Sequence, residues 1–364
     1  MIPYENLKRL NQPFEEEFKA GFSKVLDTGH YILGRQLELF EQAFADYHGV
    51  EYCVGVSNGL DAITLALKAL NLPAGSEVVV PANTYIATIL AVIASDLKPV
   101  LVEPDIHTYN IDASKIEAVI TPNTKVLLIV HLYGKCCDMD AILRIKNKYN
   151  LYLVEDCAQA HGATYKNKFA GTFGEMGAFS FYPTKNLGAL GDAGGIICND
   201  AEYRDSLVQL RNYGSKRKYY NDVIGYNNRL DEVQAAFLSV KLPHLDRMNA
   251  HRNKLARLYF EHLSYKYILP IKADDYYDVY HIFNIRCADR DQLQQYLLDN
   301  GVGSVIHYPV PPYRQKALNE LFIGEEYPLS DEIHDTTLSL PCSFCHTEEE
   351  VMEVIRVLNS YRQP

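Results

Sequence analysis

Tryptophan is absent from these 364 residues, while tyrosine occurs 27 times, a bias that nothing in the pattern accounts for. Long apolar runs are absent too: no stretch approaches the ~18 consecutive apolar residues of a membrane span. Positive charge is in short supply, with 35 Lys plus Arg against 46 Asp plus Glu and a formal net charge of -11. That balance argues against a general binder of nucleic-acid backbones, which needs many cations for phosphate contacts, while leaving room for a local basic pocket. The start, Met1-Ile2-Pro3-Tyr4-Glu5-Asn6, lacks the basic and apolar blocks of a signal peptide. A cytoplasmic protein is therefore expected, with its eight cysteines as reduced thiols. No internal repeat or low-complexity segment is found. No partner that is a nucleic acid or a membrane is expected.

What remains is an ordinary globular composition, 48% hydrophobic and 22% charged, in a chain long enough for one large domain and a smaller one. Residues 1–50 read as mostly helical around a loop at Thr28 to Gly34, with Leu37, Leu39, Phe40, Ala43 and Phe44 at helical spacing. Strands then alternate with helices: Tyr52–Val56, Glu77–Val80, Pro99–Val102 and Val126–Val130 as strands; helices through Ile63, Leu67 and Leu70, then Ile86–Ala94, Ser114–Ile120 and Met139–Tyr149. That alternation predicts a mostly parallel sheet with helices on both faces. After a glycine-rich turn, Gly188 to Gly195, comes the strand Ile196-Ile197-Cys198. Helices Glu202–Leu210 and Asp231–Lys241 flank a polar loop, Asn212 to Asn228. Near Pro243 the style changes to a long polar helix, Leu245–Leu263, then a strand at Ile282–Arg286, a helix Arg290–Asn300, a proline-rich loop His307–Pro312 and a final helix Glu348–Tyr361. The expected division is 1–245 and 246–364.

Two strands suggest chemistry. Leu151 to Val154 ends in Glu155-Asp156, and Ala178 to Tyr182 is followed by Pro183-Thr184-Lys185. Ligands of open α/β sheets sit beyond the carboxyl ends of the strands, so a carboxylate and an amine would meet in one crevice. Pyridoxal phosphate needs that pair: a lysine for the Schiff base and an aspartate to keep the pyridinium nitrogen protonated. Read singly, each is an ordinary loop aspartate or surface lysine before it is anything else; it is the pair in this context that points to the cofactor. Ser57-Asn58-Gly59-Leu60 lies between a strand and a helix N-terminus and suits a phosphate, with Gly59 allowing close approach. Ser180 is placed to join it. Tyr85 is a candidate to lay its ring on the cofactor, with a core aromatic as the alternative. Gln159, one helical turn past Asp156, is a candidate for the cofactor's phenolate oxygen.

Three ordered blocks, Glu155-Asp156-Cys157-Ala158-Gln159-Ala160-His161-Gly162, Ser180 to Gly188 and Asn228 to Ala236, resemble the nucleotide-sugar aminotransferases of the DegT/DnrJ/EryC1/StrS family, and the resemblance runs across nearly the whole chain. It implies an α/β chain of the aspartate aminotransferase fold (PLP fold type I), with a seven-stranded, mostly parallel sheet in the large domain and a smaller α/β domain, and a homodimer with shared active sites. By matching position it assigns catalysis and the Schiff base to Lys185, the pyridine nitrogen to Asp156, the 3-hydroxyl to Gln159, and the phosphate to Ser180, Gly59 and Leu60, with Asn228 reaching in from the partner subunit. Members without the lysine carry a histidine and act as dehydratases, so Lys185 implies transamination, with L-glutamate as donor and 2-oxoglutarate leaving in a ping-pong cycle. The stretch Tyr182 to Gly194 resembles the branch that aminates C3 of dTDP-linked 6-deoxy-ketosugars, and the match extends to substrate candidates Tyr213, Tyr219, His307 and Tyr308 besides Tyr182. The implied product is a deoxyamino sugar of a surface polysaccharide, S-layer glycan or antibiotic. A C4-aminating enzyme and a cofactor-binding regulator are the alternatives.

Other features weigh less. Cys342-Ser343-Phe344-Cys345-His346 matches the C-x-x-C-H haem pattern, but haem attachment normally follows export, so neither haem nor metal is expected there. Cys136-Cys137 reads as ordinary thiols. His161 is either a proton-handling residue near the site or a packed loop histidine. Lys216-Arg217-Lys218 either meets a sugar diphosphate or is solvated.

Overall fold

The computed structural model describes residues 1–217 and 219–362. The first part of the chain runs α1 (Glu15–Thr28), α2 (Arg35–His48), β1 (Tyr52–Val56), α3 (Gly59–Ala69), β2 (Glu77–Pro81), α4 (Ile86–Ala94), β3 (Lys98–Val102), β4 (Thr124–Val130), α5 (Met139–Tyr149), β5 (Tyr152–Asp156), β6 (Met176–Ser180), β7 (Gly194–Cys198), α6 (Ala201–Leu210) and α7 (Glu232–Lys241). The seven strands form one sheet in the order β1-β7-β6-β5-β4-β2-β3. Six run the same way; β7 runs against both its neighbours, β1 and β6. The connection from β6 to β7 carries no helix, and without a crossover element the returning strand lies antiparallel.

Strand alternation divides the core in two. Val79, Leu127, Ile129, Leu153 and Phe179 face one way, onto Phe40 and Phe44 of α2, Ile142 of α5 and Leu238 of α7. Val78, Val80, Val126, Leu128 and Val154 face the other way, onto Ile63 and Leu67 of α3, Ile89 and Val92 of α4 and Leu207 of α6. Because both faces are covered, the central strands read as continuous apolar runs rather than alternating ones. The helix expected over Ser114–Ile120 is shorter. Only Ala113–Ile116 is α-helical, a 3₁₀ turn follows at Glu117–Val119, and Ile120 is extended, two residues ahead of Pro122.

Past residue 241 come α8 (Leu245–His262), β8 (Phe283–Arg286), α9 (Arg290–Asp299), α10 (Pro328–Thr336), β9 (Thr337–Leu340) and α11 (Glu348–Ser360). β8 and β9 pair antiparallel. The long helix α8 serves two cores: Leu245 and Met248 join the α2–α7 face of the sheet, whereas Leu255, Ala256 and Tyr259 pack with β8, β9, α9 and α11. Tyr313, Leu318, Phe322 and Tyr327 return to the α3–α4 face. Sequence reading missed β9, α10 and the small hairpin Ser215–Arg217 with Tyr220–Asn221 inside the polar loop. β9 and the hairpin strands, of two to four residues, are too short to show a period. Lys218, the last residue of the basic cluster, lies outside the described residues.

The C-x-x-C-H stretch is a turn that pins the N-terminal segment. His346 Nδ1 accepts the Ser343 N–H at 3.0 Å, so Nε2 carries the proton and donates to the Pro3 carbonyl at 2.9 Å. Ser343 Oγ and Cys345 Sγ both donate to Glu5 Oε1, at 2.8 and 3.3 Å. No helix among the described residues is long and apolar enough to cross a membrane.

Candidate active site

A cavity of about 540 Å³ opens beyond the carboxyl ends of β4, β5 and β6, lined by Val130, Asp156 and Ser180 from those strands, by Gly59 and Leu60 at the start of α3, by Tyr85 and Thr88 at the start of α4, and by Gln159, Tyr182, Lys185, His281, His307 and Tyr308. The crevice predicted from two strand ends thus has walls from five further segments.

Successive side chains of a strand point to opposite faces, and this separates the two carboxylates of β5. Glu155 points away from the cavity. It accepts the N–H groups of Gly171, Phe173 and Gly174 at 2.8, 2.7 and 2.7 Å and lies 2.9 Å from His131 Nε2. His131 Nδ1 accepts from the Cys137 amide, so Nε2 is the donor to Glu155. The ligand atoms of His131, Glu155 and Cys157 lie within 4.8 Å of one another, yet these bonds already engage the carboxylate and the imidazole. The group braces the loop after β5.

Asp156 lines the cavity. Its Oδ2 accepts the Thr88 hydroxyl at 2.8 Å and its Oδ1 the Ala158 N–H at 3.1 Å. Thr88 in turn lies 2.7 Å from the Thr84 hydroxyl. Burial pushes the Asp156 carboxyl up, opposed by the Ala158 amide, the Thr88 hydroxyl and the charge of Lys185. Lys185 is half-buried as a residue, but desolvation of its amine pushes it down to about 8, with Asp156 pulling the other way. A free amine is therefore populated here closer to neutrality than on an exposed lysine. Its Nζ lies 3.4 Å from His281 Nε2.

The corner between α3 and the end of β6 is built by close approach. A Cβ on Gly59 would stand 2.6 Å from Ser180 Cβ, so only glycine lets α3 start against the end of β6. Asn58 caps the helix by accepting the Asp61 N–H at 2.9 Å. The Gly59 and Leu60 amides, which have no acceptor within the helix, are then left at the cavity wall. Gln159 is held at both ends: Oε1 accepts the Tyr133 N–H at 2.7 Å, and Nε2 donates to the Tyr308 hydroxyl at 2.9 Å. The Tyr85 ring, 52% exposed, lies 5.0 Å from that of Tyr308, so Tyr85 is a cavity aromatic and not a core one. Tyr182 is equally open, at 52%. His307 is bonded through Nδ1 to Ser339 Oγ at 2.9 Å, and its carbonyl accepts the Tyr133 hydroxyl. Amine, carboxylate, helix N-terminus and a glycine cradle together fit a phosphorylated pyridine aldehyde.

Three predicted residues do not line this chain's cavity. The Asn228 N–H donates to the Arg211 carbonyl at 3.0 Å. Tyr213 is half-exposed, and Tyr219 is 85% exposed on the hairpin 215–221. His161 is fully buried against Phe179 and Phe181, with neither ring nitrogen finding a partner of full hydrogen-bond geometry, and burial pushes it far down. It packs as a neutral loop histidine.

Sequence reading missed Thr88, Tyr133 and His281. Thr88 left a signal, being the only polar side chain in the apolar helix Ile86–Ala94. His281 left none, because it reaches Lys185 from 96 residues away.

Residues 13–359 match the profile of the DegT/DnrJ/EryC1/StrS aminotransferase family. The dTDP-3-amino-3,6-dideoxy-alpha-D-galactopyranose transaminase of Aneurinibacillus thermoaerophilus is 50% identical over 362 residues, covering 99% of this chain and 99% of that protein. The dTDP-3-amino-3,4,6-trideoxy-alpha-D-glucose transaminase of Streptomyces venezuelae is 41% identical, covering 100% of this chain and 96% of its own. Among solved structures, S. venezuelae DesV in complex with a ketimine intermediate superposes with a TM-score of 0.96 at 41% identity, over 98% of this chain and 97% of that one. With the cavity already carrying the amine and carboxylate such enzymes need, the chain belongs to the DegT/DnrJ/EryC1/StrS aminotransferase family, a fold type I transaminase whose cofactor is pyridoxal 5′-phosphate.

Proposed function

We propose that this aminotransferase moves the amino group of L-glutamate onto C3 of a dTDP-linked 3-keto-6-deoxyhexose, releasing 2-oxoglutarate and the 3-amino-3,6-dideoxyhexose, in the cytoplasm, for a deoxyamino sugar of a surface polysaccharide such as an O-antigen. The observation that carries the C3 assignment is full-length likeness, at 50% identity, to a transaminase named for a 3-amino sugar. The same likeness favours the galacto configuration.

The residues divide the work. Bound pyridoxal phosphate supplies the electron sink. Lys185 Nζ takes the α-proton of glutamate as general base and returns it as acid, with the reverse transfer to the sugar in the second half of the cycle. Asp156 holds a proton at the ring nitrogen. Gly59, Leu60 and Ser180 bind the phosphate, Tyr85 covers the ring, and Gln159 takes the 3-hydroxyl. Tyr182, His307 and Tyr308 frame the sugar. In this reading residues 1–245 form the cofactor domain and 246–364 the smaller one; α8 changes cores between Met248 and Leu255, close to that boundary. Comparing kcat/KM for matched 3-keto and 4-keto nucleotide sugars tests the regiochemistry. The 3-keto substrate should win by at least tenfold, about 1.4 kcal/mol in transition-state binding; a 4-keto preference of that size overturns the C3 assignment.

The working unit is a homodimer in which Asn228, Tyr213 and Tyr219 serve the partner's site. Their position outside their own chain's cavity supports this. Asn228→Ala and Lys185→Ala subunits, each inactive alone, should then recover activity when mixed, because one of the two sites is intact. No recovery after demonstrated subunit exchange would put Asn228 in its own site or in none.

A further inference from the structure

We propose that His281 is a positioning residue for Lys185: its Nε2 lone pair accepts one N–H of the free lysine amine and so aims the amine's own lone pair at the proton it must take. The inference rests on the reading of Lys185 as the proton carrier and extends it to a residue 96 positions away.

The tautomer follows from the hydrogen bonds. Asn186 Nδ2 donates to the Val279 carbonyl at 3.0 Å and to Asn249 Oδ1 at 2.8 Å. A carbonyl only accepts, so the amide of Asn186 has one orientation, with Oδ1 turned to His281 Nδ1 at 3.1 Å. Asn249 is set the same way, its Nδ2 donating to the His161 carbonyl at 2.8 Å. Oδ1 of Asn186 can only accept, so Nδ1 of His281 carries the hydrogen. In a neutral imidazole Nε2 is then a bare acceptor, and it is the atom facing Lys185 Nζ at 3.4 Å.

The mount is as constrained as the ring. Tyr280, just before it, has φ +43°, a left-handed backbone that a residue with a side chain seldom adopts. The guanidinium of Arg252 donates to the carbonyls of both Tyr280 and His281, at 3.2 and 3.3 Å, and to that of Cys342 at 2.8 Å. One buried arginine, spent on three carbonyls, keeps the histidine in place.

The charged and titratable groups facing His281 argue for an acceptor that stays neutral and against a base that takes the full proton. Burial acts first, then Lys185 after β6, Arg252 on α8, His307 and His161, and all of them push its imidazole far down. A cation at Nε2 would add to the charges of Lys185 and Arg252. A neutral acceptor costs nothing of that kind, and a fixed acceptor removes rotational freedom from the amine.

Three readouts test this on the holoenzyme. In His281→Leu the single-turnover rate with L-glutamate should fall about 10- to 100-fold while cofactor stoichiometry and the KM for glutamate hold. His281→Gln, which keeps an acceptor, should recover most of the rate. Equal loss in both variants, or no loss in His281→Leu, overturns the proposal. If His281→Leu fails to fold, ¹⁵N NMR of the wild-type ring, assigned by difference from His281→Gln, decides instead. Nδ1–H supports the assignment, and Nε2–H or an imidazolium overturns it. A wild-type enzyme that transfers no amine from glutamate would sink the proposed function while leaving the NMR result to judge His281.

Discussion

Lys185→Ala should lose turnover by at least the ~10²–10⁴-fold that a positioned acid–base group contributes, and the borohydride-reducible link between chain and cofactor should vanish with it. Cofactor is expected to stay bound without that link, because in the proposed reading Gly59, Leu60 and Ser180 still hold its phosphate. Absorbance of the desalted variant, with peptide mapping after reduction, reads both outcomes. A reduced pyridoxyl group on any other lysine would move the role away from Lys185. The same experiment carries a pH signature in the wild type. The amine is the reactive form and burial brings it down to about 8. Formation of the reducible link should therefore slow as pH falls below about 8, not below the usual range of an exposed lysine, because the protonated fraction grows there.

Asp156→Ala should cost about 10²–10³-fold or more in kcat/KM, the size seen when one preorganised electrostatic group is removed from a buried site. Two effects add. In the proposed reading the ring nitrogen loses the carboxylate that keeps its proton, and the Thr88 hydroxyl, which donates to Asp156 at 2.8 Å, is left without its acceptor in a buried place. Asp156→Asn separates charge from shape, since the amide keeps the volume and an acceptor for Thr88 while losing the anion. It should stay nearly as slow as the alanine variant. Losing the carboxylate also removes the one influence holding the Lys185 amine up, so Lys185 should titrate still lower. An asparagine variant within about twofold of wild type would mean that the charge at Asp156 does not drive the reaction.

Local pattern was enough to read the alternating strands and helices, because burial on both sheet faces writes continuous apolar strands between amphipathic helices. It also pointed to Asp156, Ser180 and Gly59 at strand ends or a helix start and to Lys185 in the loop after β6, and all four line the one cavity beyond the carboxyl ends of the strands. Other features depended on which segments come to lie side by side. The reversal of β7 follows from a connection that has no helix to carry it across the sheet. Whether Glu155 or Asp156 enters the cavity was settled by the pleat of β5, which gives the other carboxylate to three loop amides. Thr88, the hold of Tyr133 and Tyr308 on Gln159, and above all His281 depend on contacts between distant segments. A periodic signal records how each residue meets its own element's neighbours. The protonation and aim of the Lys185 amine depend instead on atoms delivered from β5, α4 and the segment before β8, and only the packed chain brings those together.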